Sequence, residues 1–457
     1  MVATPVHFSS QALRTADQPI SYFMRQAVEN PDLISLAAGL VDPESLPIVE
    51  AAEAFERIAR RPGRARAALQ YGTTQGLVSL REKLLDRTAA LDGITPREIS
   101  LSAEEVVVTT GSQQLLYLIS QVLLDPGDIV LTEAPSYFVY QGTLNSLGVR
   151  TLSVPMDEQG MNTDALEELL IRLEKTGELD RLRLIYTCDY FQNPSGRTLS
   201  FPRRRHMLEL ARRFSRRNRI FILEDAAYRE LRYDGVDIPS IKSFDTDNRH
   251  VILAMTFSKS LSPGLKTGYG FLPRELVGLF LRLKGNHDFG SNNLTQHLLD
   301  DLLETGAYDR HVAMLCDVYR RKRDALLTAL TDEFAGPNGF QAKVGRISNP
   351  SYEPSERVSW TRPEGGLYVW MTFPHHVSTG PGSPLMEAAL KNGVLYVPGQ
   401  FCYINGSNGP VPANEARLSY GAAPLEQIAE AVRRLSQAAS ESNACGLLVA
   451  GSSPSNG

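Results

Sequence analysis

Between about residues 103 and 275, short apolar runs alternate with segments whose apolar positions recur every three or four residues. Val106–Thr109 is a β-branched run, followed by a turn at Gly111 and an apolar-periodic helix over Gln113–Leu124. Asp125-Pro126-Gly127-Asp128 is a strong turn signal, and Ile129–Thr132 is the next strand. Further strands are predicted at Val149–Val154, Leu182–Thr187, Ile220–Leu223, Val251–Met255 and Gly268–Phe271, and helices fit between most of them. Strands separated by helices imply a mostly parallel sheet with right-handed crossovers and helices on both faces. Ligands of such sheets sit at the carboxyl ends of the strands.

The flanks read differently. Residues 1–50 form a loosely patterned arm with one short helix around Tyr22–Val28, and the arm is expected to complete a smaller domain. Residues 51–295 make the large domain, and 296–439 the smaller α+β domain. The latter opens with a helical rhythm over Asp301–Thr328 and carries strand patterns at Gly366–Thr372, Gly393–Val397 and Ala416–Ser419. A Gly/Pro/Ser-rich stretch, Gly336–Glu356, reads as a loop or insertion. The small, polar stretch 440–457 reads as a disordered tail. No internal repeat is evident.

Composition narrows the class without naming a chemistry. The chain is 42% hydrophobic and 22% charged, with a net charge of −5, which offers nothing for a polyanion such as nucleic acid. The arginine-dense stretch Arg203–Arg219 alternates with apolar Met207, Leu208, Leu210 and Phe214, so it reads as the solvated face of an outer helix. Cys188, Cys316, Cys402 and Cys445 are scattered without metal-ligand spacing and are expected to be reduced thiols in a cytoplasmic protein. No signal peptide is evident, and no window approaches the length of a membrane span.

Every strong motif falls just after a predicted central strand. Thr109-Thr110-Gly111-Ser112-Gln113-Gln114 passes from strand through a glycine turn into a helix start, where free N–H groups and the helix dipole suit a phosphate. Asn193-Pro194-Ser195-Gly196 follows Leu182–Thr187 and offers an amide as donor to a cofactor oxygen. Glu224-Asp225-Ala226-Ala227-Tyr228 ends the strand Ile220–Leu223, and a carboxylate there needs a cation such as a pyridinium nitrogen. Thr256-Phe257-Ser258-Lys259-Ser260-Leu261-Ser262-Pro263-Gly264 places an amine where a buried strand meets a loop, the setting of a nucleophile for an aldehyde. Taken singly, each has an ordinary reading: a capped turn, an Asn-Pro turn, a structural salt bridge, a surface lysine.

Taken together, in this order and spacing, TGSQQ, NPSG, EDAAY and SKSLSPG resemble the fold type I pyridoxal-phosphate (PLP) enzymes. The resemblance is to the class I/II aminotransferases of the aminoadipate and kynurenine aminotransferase type, over roughly Ser21 to Leu435. It implies a PLP-transferase-like three-layer α/β/α large domain with a mostly parallel sheet, plus a smaller α+β domain. It also implies an amino group moved between an amino acid and a 2-oxo acid, often 2-oxoglutarate, in a homodimer.

The resemblance further implies roles for individual residues. Lys259 is the Schiff-base lysine and proton shuttle, and Asp225 pairs with the pyridinium nitrogen. Asn193 and Tyr228 hydrogen-bond the cofactor's phenolic oxygen, and Asn193 also borders the substrate. Ser112, Gln113 and Ser258 hold the phosphate, with Thr256 as a further contributor. Tyr137 stacks on the ring, and Tyr71 reaches the partner's phosphate across the dimer interface. Arg417 grips the substrate α-carboxylate, and Gly39 lines the substrate pocket.

One position departs from the pattern. The family usually has arginine seven residues after the Schiff-base lysine, bound to the phosphate, whereas this chain has Lys266. Charge is kept but the bidentate fork is lost, which implies an altered phosphate site. Lys266 is also a rival for the Schiff-base role; the serine before Lys259 and the distance from Asp225 favour Lys259. A β-lyase, decarboxylase or oxidative deaminase on the same scaffold would use the same residues. A PLP-sensing regulator with an N-terminal DNA-binding domain is not expected, because the arm begins within the first 25 residues.

Overall fold

The computed structural model describes residues 6–17, 19–30, 32–336, 340, 357–404 and 410–450. The arm carries strand β1 (Ile34–Ser35). The large sheet is built from β2 (Val106–Thr109), β3 (Ile129–Ala134), β4 (Arg150–Asp157), β5 (Gly160–Met161), β6 (Leu182–Thr187), β7 (Phe221–Asp225), β8 (Val251–Thr256) and β9 (Gly268–Phe271). Their spatial order is β2-β9-β8-β7-β6-β3-β4-β5. Strands β4, β3, β6, β7 and β8 pair in parallel, while β9 runs antiparallel between β8 and β2.

Side chains alternate between two cores because successive residues of a strand point to opposite faces. Ile129 and Leu131 pack with the helices Thr163–Lys175 and Phe201–Phe214. Val130, Leu184 and Tyr186 pack with Gly111–Leu123, Phe138–Leu147 and Arg274–Asp288 on the other face. Burial on both faces explains why these strands read as near-continuous apolar runs. Each fully buried Leu or Ile contributes about 1.5–3 kcal/mol relative to exposure.

The C-terminal part adds β10 (Ser359–Trp360), β11 (Tyr368–Thr372), β12 (Val394–Leu395), β13 (Val397–Pro398) and β14 (Glu415–Ser419). Four of these make an antiparallel sheet in the order β10-β11-β14-β13, and β12 pairs with β1 in parallel. The arm is stitched in further on: the Leu36 amide donates to Leu395 O at 2.8 Å, and the Ser419 amide donates to Leu36 O at 2.7 Å. That pairing carries Gly39 towards the carboxyl ends of the large sheet.

Four details differ from the sequence reading. The helical rhythm after residue 295 is two helices, Asn293–Glu304 and Ala307–Leu330, separated at Gly306 with φ +67. The strand expected at Gly393–Val397 is split into β12 and β13. The last helix runs Leu425–Ala450 and so extends into the stretch read as a tail; 451–457 lie outside the described residues. Arg204 is not on a solvated face but fully buried, ion-paired to Asp189 and, at 3.5 Å, to Glu224. Of the insertion predicted at Gly336–Glu356, only Gly336 and Phe340 lie among the described residues. No helix is long and apolar enough to cross a membrane, and no His/Cys/Asp/Glu group suited to a metal occurs among the described residues. Cys188, Cys316 and Cys402 are free thiols.

Candidate active site

The carboxyl ends of β2, β3, β6, β7 and β8 open into one cavity of about 200 Å³. Its walls bring together Ser112, Gln113, Tyr137, Asn193, Asp225, Tyr228, Thr256, Ser258, Lys259 and Lys266, joined by Cys188 and Ala227. These residues span 155 positions of sequence, from 112 to 266, and meet because parallel strands deliver all their carboxyl ends to one edge.

One end of the cavity is a cradle for an anion. Gly111 takes φ +75, open to glycine without strain, and starts the helix Gly111–Leu123. First-turn amides have no partner within their helix, and they face the cavity with the positive end of the dipole. A Cβ at Gly268 on β9 would stand 2.4 Å from the Ser112 amide nitrogen, so only glycine permits this approach. The Thr256 hydroxyl donates to Ser258 Oγ at 3.0 Å, and Lys266 lines the same end from an exposed position with φ +47. The Gln113 side chain is turned away, its Nε2 donating to Thr143 Oγ1 at 3.4 Å, which leaves its backbone amide as the group it offers.

At the other end stands Asp225, the last residue of β7 and buried. Tyr186 donates its hydroxyl to Asp225 Oδ2 at 3.0 Å, while Oδ1 is buried without a hydrogen-bond partner among the described residues. Burial pushes the carboxyl up from 3.8 to about 6, only partly offset by hydrogen bonds from Tyr186 and the Ala227 backbone. A protonated ring nitrogen would give this carboxylate the counter-charge that its neutral donors do not supply. Lys259 follows β8, and its Nζ donates to Gly39 O at 2.8 Å. Burial lowers its pKa, and the positive charges of Arg417 and Lys266 push the same way, favouring the neutral, nucleophilic amine. An anion cradle, an amine and a buried carboxylate without a counter-charge in one cavity fit PLP.

Beside this cavity the Arg417 guanidinium is buried, with Nη1 donating to Asn193 Oδ1 at 2.8 Å and Nη2 to Ala37 O at 2.7 Å. Its Nε has no partner, and no carboxylate of the described residues forms an ion pair with it. A buried cation without a counter-ion is costly unless a ligand supplies one. Tyr71 stands apart: it is 82% exposed, and its ring packs edge-on against Phe289 at 5.5 Å.

Sequence reasoning missed the support beneath the Asn193 loop. Glu133 at the end of β3 accepts from Thr187 Oγ1 at 2.6 Å, Gln192 Nε2 at 2.5 Å and the Cys188 amide at 3.2 Å. Gln192 Oε1 in turn accepts from the Ser195 amide at 3.2 Å, clamping both sides of Asn193-Pro194. Burial pushes Glu133 up to about 7. Tyr186 and Tyr368 were likewise missed. A polar residue closing an apolar strand run was the available signal for Tyr186 and Glu133.

Comparison with known proteins agrees with this geometry. The family model for aminotransferase class I and II matches residues 31–435. Aromatic-amino-acid aminotransferase 1 of Thermococcus litoralis is 34% identical over 95% of this chain and 94% of its own. The crystal structure of Pyrococcus horikoshii kynurenine aminotransferase, in complex with PMP, superposes with a TM-score of 0.81 at 32% identity, covering 95% of this chain and 97% of that one. The alpha-aminoadipate aminotransferase LysN from Thermus thermophilus, complexed with N-(5'-phosphopyridoxyl)-L-leucine, gives 0.75 at 34% identity, covering 97% and 98%.

Proposed function

The chain belongs to the class I and II aminotransferases and is a PLP-dependent enzyme; on that premise we propose that it moves an amino group between an α-amino acid and a 2-oxo acid, with 2-oxoglutarate as one partner, as a cytoplasmic homodimer. The convergence of Lys259, Asp225 and the counter-ion-free Arg417 on one site carries this reading.

When bound, PLP supplies an aldehyde that condenses with amines and a ring that accepts the electron pair left at the substrate Cα. Around it, Asp225 would keep a proton at the ring nitrogen, which would strengthen that electron sink. Ser112, Gln113, Thr256, Ser258 and Lys266 would hold the phosphate, Tyr137 would stack on the ring, and Asn193 and Tyr228 would donate to the phenolic oxygen. Arg417 orients the substrate through its carboxylate, with Gly39 leaving room beside it. The Lys259 amine would serve as the base that takes the Cα proton and as the acid that returns it, so one group held at the site could serve both transfers.

The test is spectroscopic and kinetic. Purified protein is expected to be yellow and to bleach on addition of glutamate, and Lys259→Ala to lose turnover. Full turnover by that variant would overturn the assignment. Aminoadipate, aromatic and branched-chain donors, screened against 2-oxoglutarate in a coupled assay, identify the amino donor. Repeated turnover without any oxo-acid acceptor, beyond one product per enzyme, would instead favour a lyase or decarboxylase.

A further inference from the structure

A side chain outside the residues named by the motifs touches three of them and lies beside a fourth. Tyr368 opens β11 and is 1% exposed. Its hydroxyl lies 3.2 Å from the Tyr228 hydroxyl, and the two rings meet edge-on at 5.6 Å. The Arg417 guanidinium sits 4.5 Å above the centre of the Tyr368 ring. A Cβ on residue 39 would come within 2.5 Å of the Tyr368 oxygen, so Gly39, whose carbonyl accepts from Lys259 Nζ, is also packed against it. Strand register places Tyr368 opposite Ser419 and Trp370 opposite Arg417, so Tyr368 and Arg417 share one face of the sheet.

Hydrogen-bond direction follows from what Tyr228 must do. A hydroxyl has one proton. If Tyr228 spends it on the cofactor's phenolic oxygen, its own oxygen is left to accept. Among the described residues, Tyr368 and the Asn193 amide, at 3.4 Å, are the donors within reach. Burial pushes the Tyr228 phenol well above its ordinary value, which keeps that proton in place for donation. The titratable and charged groups facing the pair are Tyr137, Cys188, Asp225, Lys259, Lys266, Arg417 and Tyr420.

We propose that Tyr368 is a positioning residue linking substrate capture to the cofactor: its hydroxyl donates to the Tyr228 oxygen, releasing the Tyr228 proton for the cofactor's phenolic oxygen, while its ring carries the Arg417 guanidinium. The assignment rests on the roles of Tyr228 and Arg417 given above. A donor that itself accepts a hydrogen bond is the stronger donor. A stronger donor at the phenolic oxygen favours the form with more negative charge there, which is the deprotonated form.

The experiment is a pH titration of the visible absorbance of the substrate-free holoenzyme, with three variants. Tyr228→Phe is expected to raise the midpoint by about one unit or more, and Tyr368→Phe by ~0.5 unit. The double variant is expected to match Tyr228→Phe alone, because Tyr368 acts through Tyr228. Tyr368→Leu, which also removes the ring, is expected to raise KM for both amino and oxo acid about 10-fold, while Tyr368→Phe leaves KM unchanged. An unshifted midpoint in Tyr368→Phe beside a shifted one in Tyr228→Phe would overturn this inference alone. No shift in Tyr228→Phe would overturn the Tyr228 assignment and this inference with it. An additive double variant would show direct action by Tyr368 and overturn the coupling.

Discussion

Arg417 Nη1 donates to Asn193 Oδ1 at 2.8 Å, joining β14 to the loop after β6 across the mouth of the site. The group proposed to read the substrate carboxylate is thereby fixed to the group proposed to read the cofactor oxygen. Movement of one is felt by the other.

Arg417→Ala is therefore expected to lower kcat/KM for α-amino acids by about 10²- to 10³-fold, the scale of losing one partner of a buried charge pair. Arg417→Lys keeps the charge but not the planar fork, so it recovers only part of the loss. Primary amines without a carboxylate supply the control in single-turnover measurements. Their slow reaction should be little changed, and an equal loss for both donor types would sink the assignment.

Asp225 makes a prediction about stability as well as activity. Its carboxyl titrates at about 6 in the fold against 3.8 ordinarily, so the folded state binds the proton more tightly than the unfolded chain does. The cost of its charge is absent below pH about 4, grows as pH rises, and is complete above about 6, where it is on the order of 3 kcal/mol. Cofactor-free Asp225→Asn is expected to melt higher than cofactor-free wild type at pH 8, with the gap closing towards pH 4. The same variant should lose at least about 100-fold in turnover, because the ring nitrogen loses its counter-charge. A melting gap independent of pH would contradict the titration.

Lys266 offers a gain-of-function test. Its exposed ammonium meets the anion end of the cavity as a point charge, where a guanidinium could donate twice. Lys266→Arg is expected to tighten cofactor retention several-fold, measured as slower loss of visible absorbance on dialysis against phosphate buffer. The left-handed φ of +47 at this position is equally strained for either residue, so the comparison isolates the head group. Faster cofactor loss in Lys266→Arg would mean that the loop is built around lysine.

Much of this site was legible because its chemistry is local. Val106–Thr109, Leu182–Thr187 and Gly268–Phe271 are strands with the bounds that the apolar runs gave, and TGSQQ, NPSG, EDAAY and SKSLSPG each sit within a few residues of a strand end. The supporting shell was not legible, since its partners are distant in sequence. Glu133 meets Gln192 from 59 positions away, and Arg229 meets Asp92 from 137. Arg204 looked like a surface arginine because a helical face cannot reveal that Asp189 and Glu224 wait beneath it. Tyr368 read simply as a strand residue, since nothing in Gly365-Gly366-Leu367-Tyr368 indicates that a guanidinium will lie on its ring. Small polar residues after Ser440 suggested disorder, yet the helix from Leu425 extends into that stretch.

The role proposed for Tyr71 depends on a second chain. Tyr71 is 82% exposed beside Leu69 at 76%, and its neighbour Phe289 is 60% exposed, an apolar cluster that solvent alone would not favour. Within one chain Tyr71 does not line the cavity, so the phosphate contact proposed for it would be made in a partner's site. Light scattering is expected to give twice the 50.4 kDa chain mass. Phe289→Asp should shift the protein towards monomer by burying a charge in the interface. Tyr71→Phe should keep the dimer but weaken cofactor retention several-fold, the loss of one phosphate hydrogen bond. The two variants separate assembly from contact, because the first acts on mass and the second on retention at constant mass. A wild-type monomer that binds PLP and turns over at full rate would remove any role for Tyr71 in the site.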